Sequence, residues 1–82
     1  MKYKCPCCGY YTFDERPDGS YDICPVCFWE DDPLQFKNEN FTGANHVTLV
    51  QARKNFAEFG ACEFEMIKNV RKPKKDELKG ID

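Results

Sequence analysis

The strongest periodic pattern of apolar and polar positions lies between residues 48 and 59, where it predicts an α-helix. Its apolar residues recur at steps of three and four, which places them on one helical face, and polar residues occupy the other faces. Thr48, with Gln51 three positions later, forms a capping box, and Gly60 favours the left-handed conformation that ends a helix. The predicted buried face consists of Leu49, Ala52, Phe56 and Phe59.

A shorter helical pattern follows and predicts a second helix over residues 61–71. Phe64, Ile67 and Val70 recur at three-residue steps as its buried face, Met66 lies at the edge, and Pro73 limits the helix. Small residues between the two patterns permit a tight reversal. We therefore expect the two helices to pack as a hairpin against the N-terminal part of the chain.

Two short segments in the first third of the chain have strand character. Residues 10–13 and 21–23 are rich in aromatic and β-branched types, and residues 17–20 carry a turn signal of proline, aspartate, glycine and serine. This pattern predicts a β-hairpin whose two ends carry two groups of cysteines side by side.

Four cysteines have the spacing of a single metal site. Cys5 and Cys8 form one C-x2-C step, and Cys24 and Cys27 form a second step after an interval of fifteen residues. Paired steps of this kind present four thiolates tetrahedrally to one ion. We predict zinc at this site, with iron as the alternative, since four thiolates suit both metals.

Each step continues into a closing turn, and we call residues 5–9 the first knuckle and residues 24–28 the second knuckle. Gly9 can take the positive φ with which a knuckle closes, and this favours Cys8 over Cys7 as the ligand. Phe28 occupies the matching place in the second knuckle, so we expect that turn to differ.

Length and these elements together predict one small α+β domain with a zinc-ribbon or rubredoxin-like hairpin, two cysteine knuckles and two following helices. A chain of 82 residues buries a marginal core, so a metal staple is expected. We expect the domain to span residues 1–73, with the ribbon over residues 3–28. Residues 74–82, which are rich in lysine, are expected to form a mobile charged tail.

Charge and hydropathy restrict the setting of the protein. The net charge is −2; residues 1–45 hold four basic and eight acidic residues, and half of the twelve basic residues follow residue 67. This balance argues against nucleic acid as a partner. No apolar run suits a membrane span or a leader, so we expect a cytoplasmic protein whose cysteines hold metal rather than disulfides.

The remaining candidates for chemistry are weak. Cys7 is either a reactive thiol or a passive small side chain, and Cys62 is either activated by a helix N-terminus or buried. His46 is either a further ligand or acid–base group, or a structural residue. No catalytic motif surrounds these residues, so the sequence favours a non-enzymatic role.

A partner surface is expected near the junction of ribbon and helices. We expect a protein partner there, although the arginines among the candidates could instead pair internally with carboxylates. The aromatic residues could instead cover the metal site. The candidate residues are Trp29, Glu30, Asp31, Asp32, Arg53 and Arg71.

The chain resembles the cysteine-rich CPCC family of small bacterial proteins in several stretches. These are residues 5–8 (CPCC), the long run at 19–32, and shorter runs at 44–45, 52–53, 55–56, 59–61 and 70–73. The resemblance implies metal binding and carries no activity to any position. The knuckles are also similar to those of rubredoxins and zinc ribbons, although glycine is missing after Cys27 and two helices are added.

Three functions remain open from the sequence. The first is a zinc-stabilised module with a protein-interaction or adaptor role. The second is a rubredoxin-like iron electron carrier, in which the same thiolates hold iron. The third is a zinc-ribbon nucleic-acid binder that uses the basic tail.

Overall fold

The computed structural model describes residues 2–79 and shows a small hairpin followed by short helices. The predicted fold class is confirmed, since the cysteines cluster beside a two-stranded antiparallel sheet in a zinc-ribbon-like arrangement. The elements are β1 (Tyr3–Lys4), β2 (Tyr11–Phe13), α1 (Pro33–Lys37), α2 (Leu49–Phe59) and two 3-10 helices (Phe64–Asn69 and Lys75–Glu77).

The hairpin uses a different partner strand from the predicted one. β2 pairs with β1, with Tyr3 opposite Phe13 and Lys4 opposite Tyr11, so the first knuckle itself is the hairpin turn. Residues 21–23 form no strand; Ile23 makes only an isolated bridge to Glu30 across the second knuckle. A tight knuckle turn returns the chain onto its own preceding residues, so each knuckle closes its own short pairing.

Helix α2 agrees closely with its sequence pattern. The hydroxyl of Thr48 accepts from the Gln51 amide at 3.1 Å, and Gly60 ends the helix at φ 82°. The capping box is only half formed, because the Gln51 side chain donates to Asn55 instead. Of the predicted face, Leu49 and Ala52 are buried, and Phe56 and Phe59 are half-buried.

The second helix and the tail differ from the sequence-based expectation. Residues 61–71 hold only the 3-10 helix Phe64–Asn69, whose three-residue turn directs Phe64 and Ile67 to solvent and packs Met66 against the core. Lys75–Glu77 is helical where a mobile tail was expected, and it holds the buried Glu77. The part of the predicted tail at residues 80–82 lies outside the described residues.

The segment between the second knuckle and α2 contains a buried amide network rather than an irregular loop. The Gln35 side chain donates to the carbonyls of Phe41 and Val47 and accepts from the Asn45 amide and side chain. Asn45 in turn bonds both backbone groups of Glu30. Buried amides satisfied in this way fix a segment that has little apolar surface of its own.

No helix within residues 2–79 is long and apolar enough to cross a membrane.

Candidate metal centre

The two knuckles have the same backbone hydrogen bonds. In the first, the Cys5 amide donates to Tyr10 and the Gly9 amide donates back to Cys5; in the second, Cys24 donates to Trp29 and Phe28 to Cys24. All four bonds measure 2.7–2.9 Å. The two C-x2-C steps are therefore two copies of one local structure.

The closing residue of each knuckle is left-handed. Gly9 has φ 81° and Phe28 has φ 69°. The expectation that the second turn would differ was therefore wrong, because both closing residues have the same backbone conformation. An L-residue with a side chain adopts this region at a cost of roughly 1–2 kcal/mol. Phe28 packs against the core cluster, and this contact offsets the cost.

The structure brings the four predicted ligands together. The sulfur atoms of Cys5, Cys8, Cys24 and Cys27 all lie within 4.8 Å of one another. Two of the pairs that join the knuckles, Cys5 with Cys27 and Cys8 with Cys24, have sulfur–sulfur distances of 3.7 Å.

These distances fit a metal ion at the centre. Four sulfurs at about 2.3 Å from zinc form a tetrahedron with edges of about 3.8 Å, close to the 3.7 Å that separates two of the sulfur pairs. Four thiolates also suit iron, so the donor set by itself leaves the identity of the metal open. The cluster is a metal site of the tetra-cysteine type.

The pKa values of two of the four crowded thiols are shifted in opposite directions. Burial raises the pKa of the Cys5 thiol well above its ordinary value, whereas hydrogen bonds with Cys27, Cys5 and Cys8 hold the pKa of Cys24 far below it. Four thiolates this close repel one another, and a bound cation lets all of them remain deprotonated.

Thr12 is a neighbour of the site that the sequence pattern did not single out. Its side chain is buried on β2, and its hydroxyl lies 3.0 Å from the sulfur of Cys24. A hydroxyl can donate to a thiolate and so fix the ligand's orientation. Strand alternation gave no signal for Thr12, because Thr12 and the adjacent Phe13 are both buried.

The two leftover cysteines are both buried. Cys7 is 8 % exposed and lies in the core cluster, outside the group of four sulfurs. Burial is the main cause that raises the pKa of Cys62 to about 12, and the electrostatic influence of nearby Cys7 and Glu63 adds to it. Cys62 precedes the 3-10 helix and its amide donates to the carbonyl of Cys27, so it supports the second knuckle and remains protonated at neutral pH.

His46 lies apart from the sulfurs. Its side chain is 77 % exposed, and Nδ1 lies 3.2 Å from the buried carboxylate of Glu63. The structure therefore places it in a hydrogen bond with Glu63 at the surface rather than in the metal centre.

Three of the six residues expected on a partner surface are buried. Trp29 is 1 % exposed and belongs to the core cluster, while Asp31 and Asp32 are also buried. Asp31 accepts hydrogen bonds from the backbone amides of Gly19 and Ser20 and from the Ser20 hydroxyl. Asp32 caps α1 and accepts from the Ala44 amide. Asp31 and Asp32 therefore have a structural role inside the domain, because short carboxylates that follow a knuckle can accept from loop amides.

The other three candidates remain accessible to different degrees. Glu30 is half-buried, Arg53 is exposed, and Arg71 is half-buried. Both arginines pair internally, Arg53 with Glu39 at 2.9 Å and Arg71 with Glu77 at 2.8 Å. Their partners are therefore not the acidic residues at positions 30–32.

Comparison with known proteins agrees with this geometry. The family model described as cysteine-rich CPCC matches residues 3–77, which include both knuckles and all described helices. None of the curated proteins matches the chain. The resemblance read from the sequence is confirmed, and the chain belongs to the cysteine-rich CPCC family.

Proposed function

We propose that this protein is a zinc-binding module in which the tetra-cysteine centre is structural and the surface contacts another protein. The observation that carries the proposal is the composition of the core. Of the ten buried residues in the core cluster within residues 2–79, five are cysteines, and three of those five are predicted ligands. Apolar burial alone is weak in such a core, so the metal supplies the stability.

The contacts around the cluster support a structural role. The Cys62 amide donates to the Cys27 carbonyl, the Arg71 amide donates to the Pro25 carbonyl, and Arg53 Nε donates to the Pro6 carbonyl. Segments distant in sequence are thus attached to the knuckle backbones. Losing the metal would release the knuckles and with them the anchors of these segments.

The test is metal content and metal dependence of folding. Elemental analysis of purified protein should give one equivalent of zinc in a colourless sample, and a chelator should unfold the domain reversibly, as followed by circular dichroism. Zinc bound to such sites supplies roughly 10–16 kcal/mol, which matches the entire stability of a small domain. A domain that stays folded after complete metal removal would contradict the structural role.

One observation favours the second candidate, an iron electron carrier. Cys8 is partly exposed while the other three sulfurs are buried, so one ligand is accessible to an electron donor. One equivalent of iron with visible thiolate-to-iron absorption would make this the leading function. The same sample therefore decides between the two candidates.

A further inference from the structure

An open groove of about 500 Å³ lies beside the first knuckle, and we call it the knuckle groove. The first knuckle is part of its lining, and no carboxylate is among the lining side chains. The other lining residues are Tyr3, Lys4, Arg16, Pro17, Phe36 and Arg53. Three cations and two aromatic rings therefore face one concave surface on a protein of net charge −2.

The two guanidinium groups of the knuckle groove are held in place before any ligand arrives. The guanidinium carbon of Arg16 lies 5.5 Å from the centre of the Tyr3 ring, a cation–π contact. Arg53 donates from Nε to the Pro6 carbonyl at 2.9 Å and from Nη1 to Glu39. Preorganised guanidinium groups lose little entropy when they bind a carboxylate.

From this arrangement we infer that the knuckle groove binds a short acidic segment of a partner protein. Its carboxylates would pair with Lys4 and Arg16, and its apolar side chains would contact Tyr3 and Phe36, which is 45 % exposed. The inference rests on the proposed function, because it names the surface and the partner chemistry of that module. It also moves the expected partner surface from Asp31 and Asp32, which are buried, to a group of exposed cations.

A short acidic peptide fits better than a nucleic acid. Glu39 lies 2.9 Å from Arg53, and exposed Glu15 and Asp18 flank Arg16 in the chain. A continuous polyanion would leave the groove and meet these carboxylates, whereas a segment of a few residues would stay among the cations.

The cations also lie near the thiolates, so their alternative role is to balance the charge of the metal centre. Four thiolates and one divalent ion carry a net charge of −2. If that were the whole role of Lys4 and Arg16, neutralising them would weaken metal binding and leave any peptide affinity unchanged.

The experiment measures fluorescence anisotropy of a short labelled peptide of alternating glutamate and tyrosine against the metal-loaded, full-length protein. A peptide with glutamine in place of glutamate and a single-stranded oligothymidine serve as comparison probes. The double variant Lys4→Gln/Arg16→Gln is compared with Lys54→Gln, which removes an exposed charge on α2 outside the groove. Chelator competition measures the metal affinity of each protein.

We expect the acidic peptide to bind, the glutamine peptide to bind much more weakly, and the double variant to lose about tenfold in affinity, with Lys54→Gln unchanged. Equal binding of the two peptides, or equal affinity of both variants, overturns the inference. Preferential binding of oligothymidine overturns it in favour of nucleic acid. Lower metal affinity with unchanged peptide affinity assigns the cations to the metal centre instead.

Two further points keep the result interpretable. Should the double variant fail to fold, Lys4→Gln alone decides, because Lys4 is exposed. If the groove does not bind the peptide, zinc content and chelator-induced unfolding are unaffected. If the metal is iron, the proposed function is overturned, and the peptide measurement still tests the groove.

Discussion

The two knuckles share one backbone geometry but lie in opposite surroundings. The first is closed by Gly9, contains the partly exposed Cys8 and opens onto the knuckle groove. The second is closed by Phe28, and both its cysteines are fully buried. The same turn can therefore be made by glycine, which adopts it readily, or by a large residue whose packing offsets the strain.

The difference extends to what each knuckle supports. The second knuckle receives amides from Cys62 and Arg71 and a hydroxyl from Thr12, so it organises the C-terminal half of the domain. The first knuckle closes the β-hairpin and receives the side chain of Arg53. We expect the second knuckle to be the structural anchor and the first to be the accessible side of the centre.

The largest expected effect comes from removing one ligand from each knuckle. Cys24→Ala should abolish folding even in excess zinc, because the remaining three thiolates would leave a gap in a buried site. Cys8→Ala should keep a folded, weaker complex, because water from the groove can reach the fourth position. The expected loss for Cys24→Ala is most of the roughly 5–15 kcal/mol that stabilises a domain.

Circular dichroism and competition with a chelating dye measure both variants. Equal loss of folding in the two would show that the exposure of Cys8 has no consequence, and the comparison of the knuckles would fail.

A smaller effect should follow from detaching the C-terminal segment from the second knuckle. The Arg71 guanidinium donates two bonds of 2.8 Å to the Glu77 carboxylate and holds its pKa at about 2, below the ordinary 4.5. A lowered pKa stabilises the fold above pH 4.5, and the contribution is lost as the pH falls toward 2. Glu77→Gln should cost about 2 kcal/mol at neutral pH.

Denaturant unfolding at matched pH checks this, with exposed Glu65→Gln as the control. The difference in unfolding free energy between Glu77→Gln and the unaltered protein should shrink as the pH is lowered from 6 to 3. Metal release on acidification affects both proteins alike and so leaves this difference unchanged. A difference that is constant with pH would contradict the ion-pair assignment.

The closing residues test the comparison directly. Gly9→Ala should cost about 1–2 kcal/mol through backbone strain alone, since an added Cβ would meet only Lys4 Cε at 3.8 Å. At position 28, glycine should be more stable than alanine by about 1 kcal/mol, the reverse of their usual order, because φ is positive there.

Thermal or denaturant unfolding of Gly9→Ala, Phe28→Gly and Phe28→Ala supplies the numbers. Finding Phe28→Ala as stable as Phe28→Gly would mean that the second knuckle carries no strain.

The smallest effect is expected at Thr12. Thr12→Val keeps the shape of the side chain and removes the hydroxyl beside Cys24, so the free energy of metal binding should fall by about 1 kcal/mol, or roughly fivefold in affinity. Chelator competition measures this, with exposed Thr42→Val as the control. Unchanged affinity would show that the hydroxyl has no role in fixing the ligand.

Local patterns in the sequence determined the parts of this protein that depend on neighbouring residues. The spacing of Cys5, Cys8, Cys24 and Cys27 is a property of short turns, and the limits of α2 follow from Thr48 and Gly60, whose capping groups act within one helical turn. These features could be predicted because the atoms that decide them lie within a few positions along the chain.

Only the tertiary structure decided the conformation and burial of residues whose partners lie far away in the sequence. Phe28 tolerates a left-handed conformation because the core packs against it, and Asp31 is buried because the loop at Gly19 and Ser20 supplies donors from a distant part of the chain. Glu77 is held by Arg71, whose amide donates to the second knuckle, so Lys75–Glu77 is a helical turn attached to the domain. The cations of the knuckle groove likewise come together from β1, the loop after β2 and α2, because pairing and packing bring distant segments into contact.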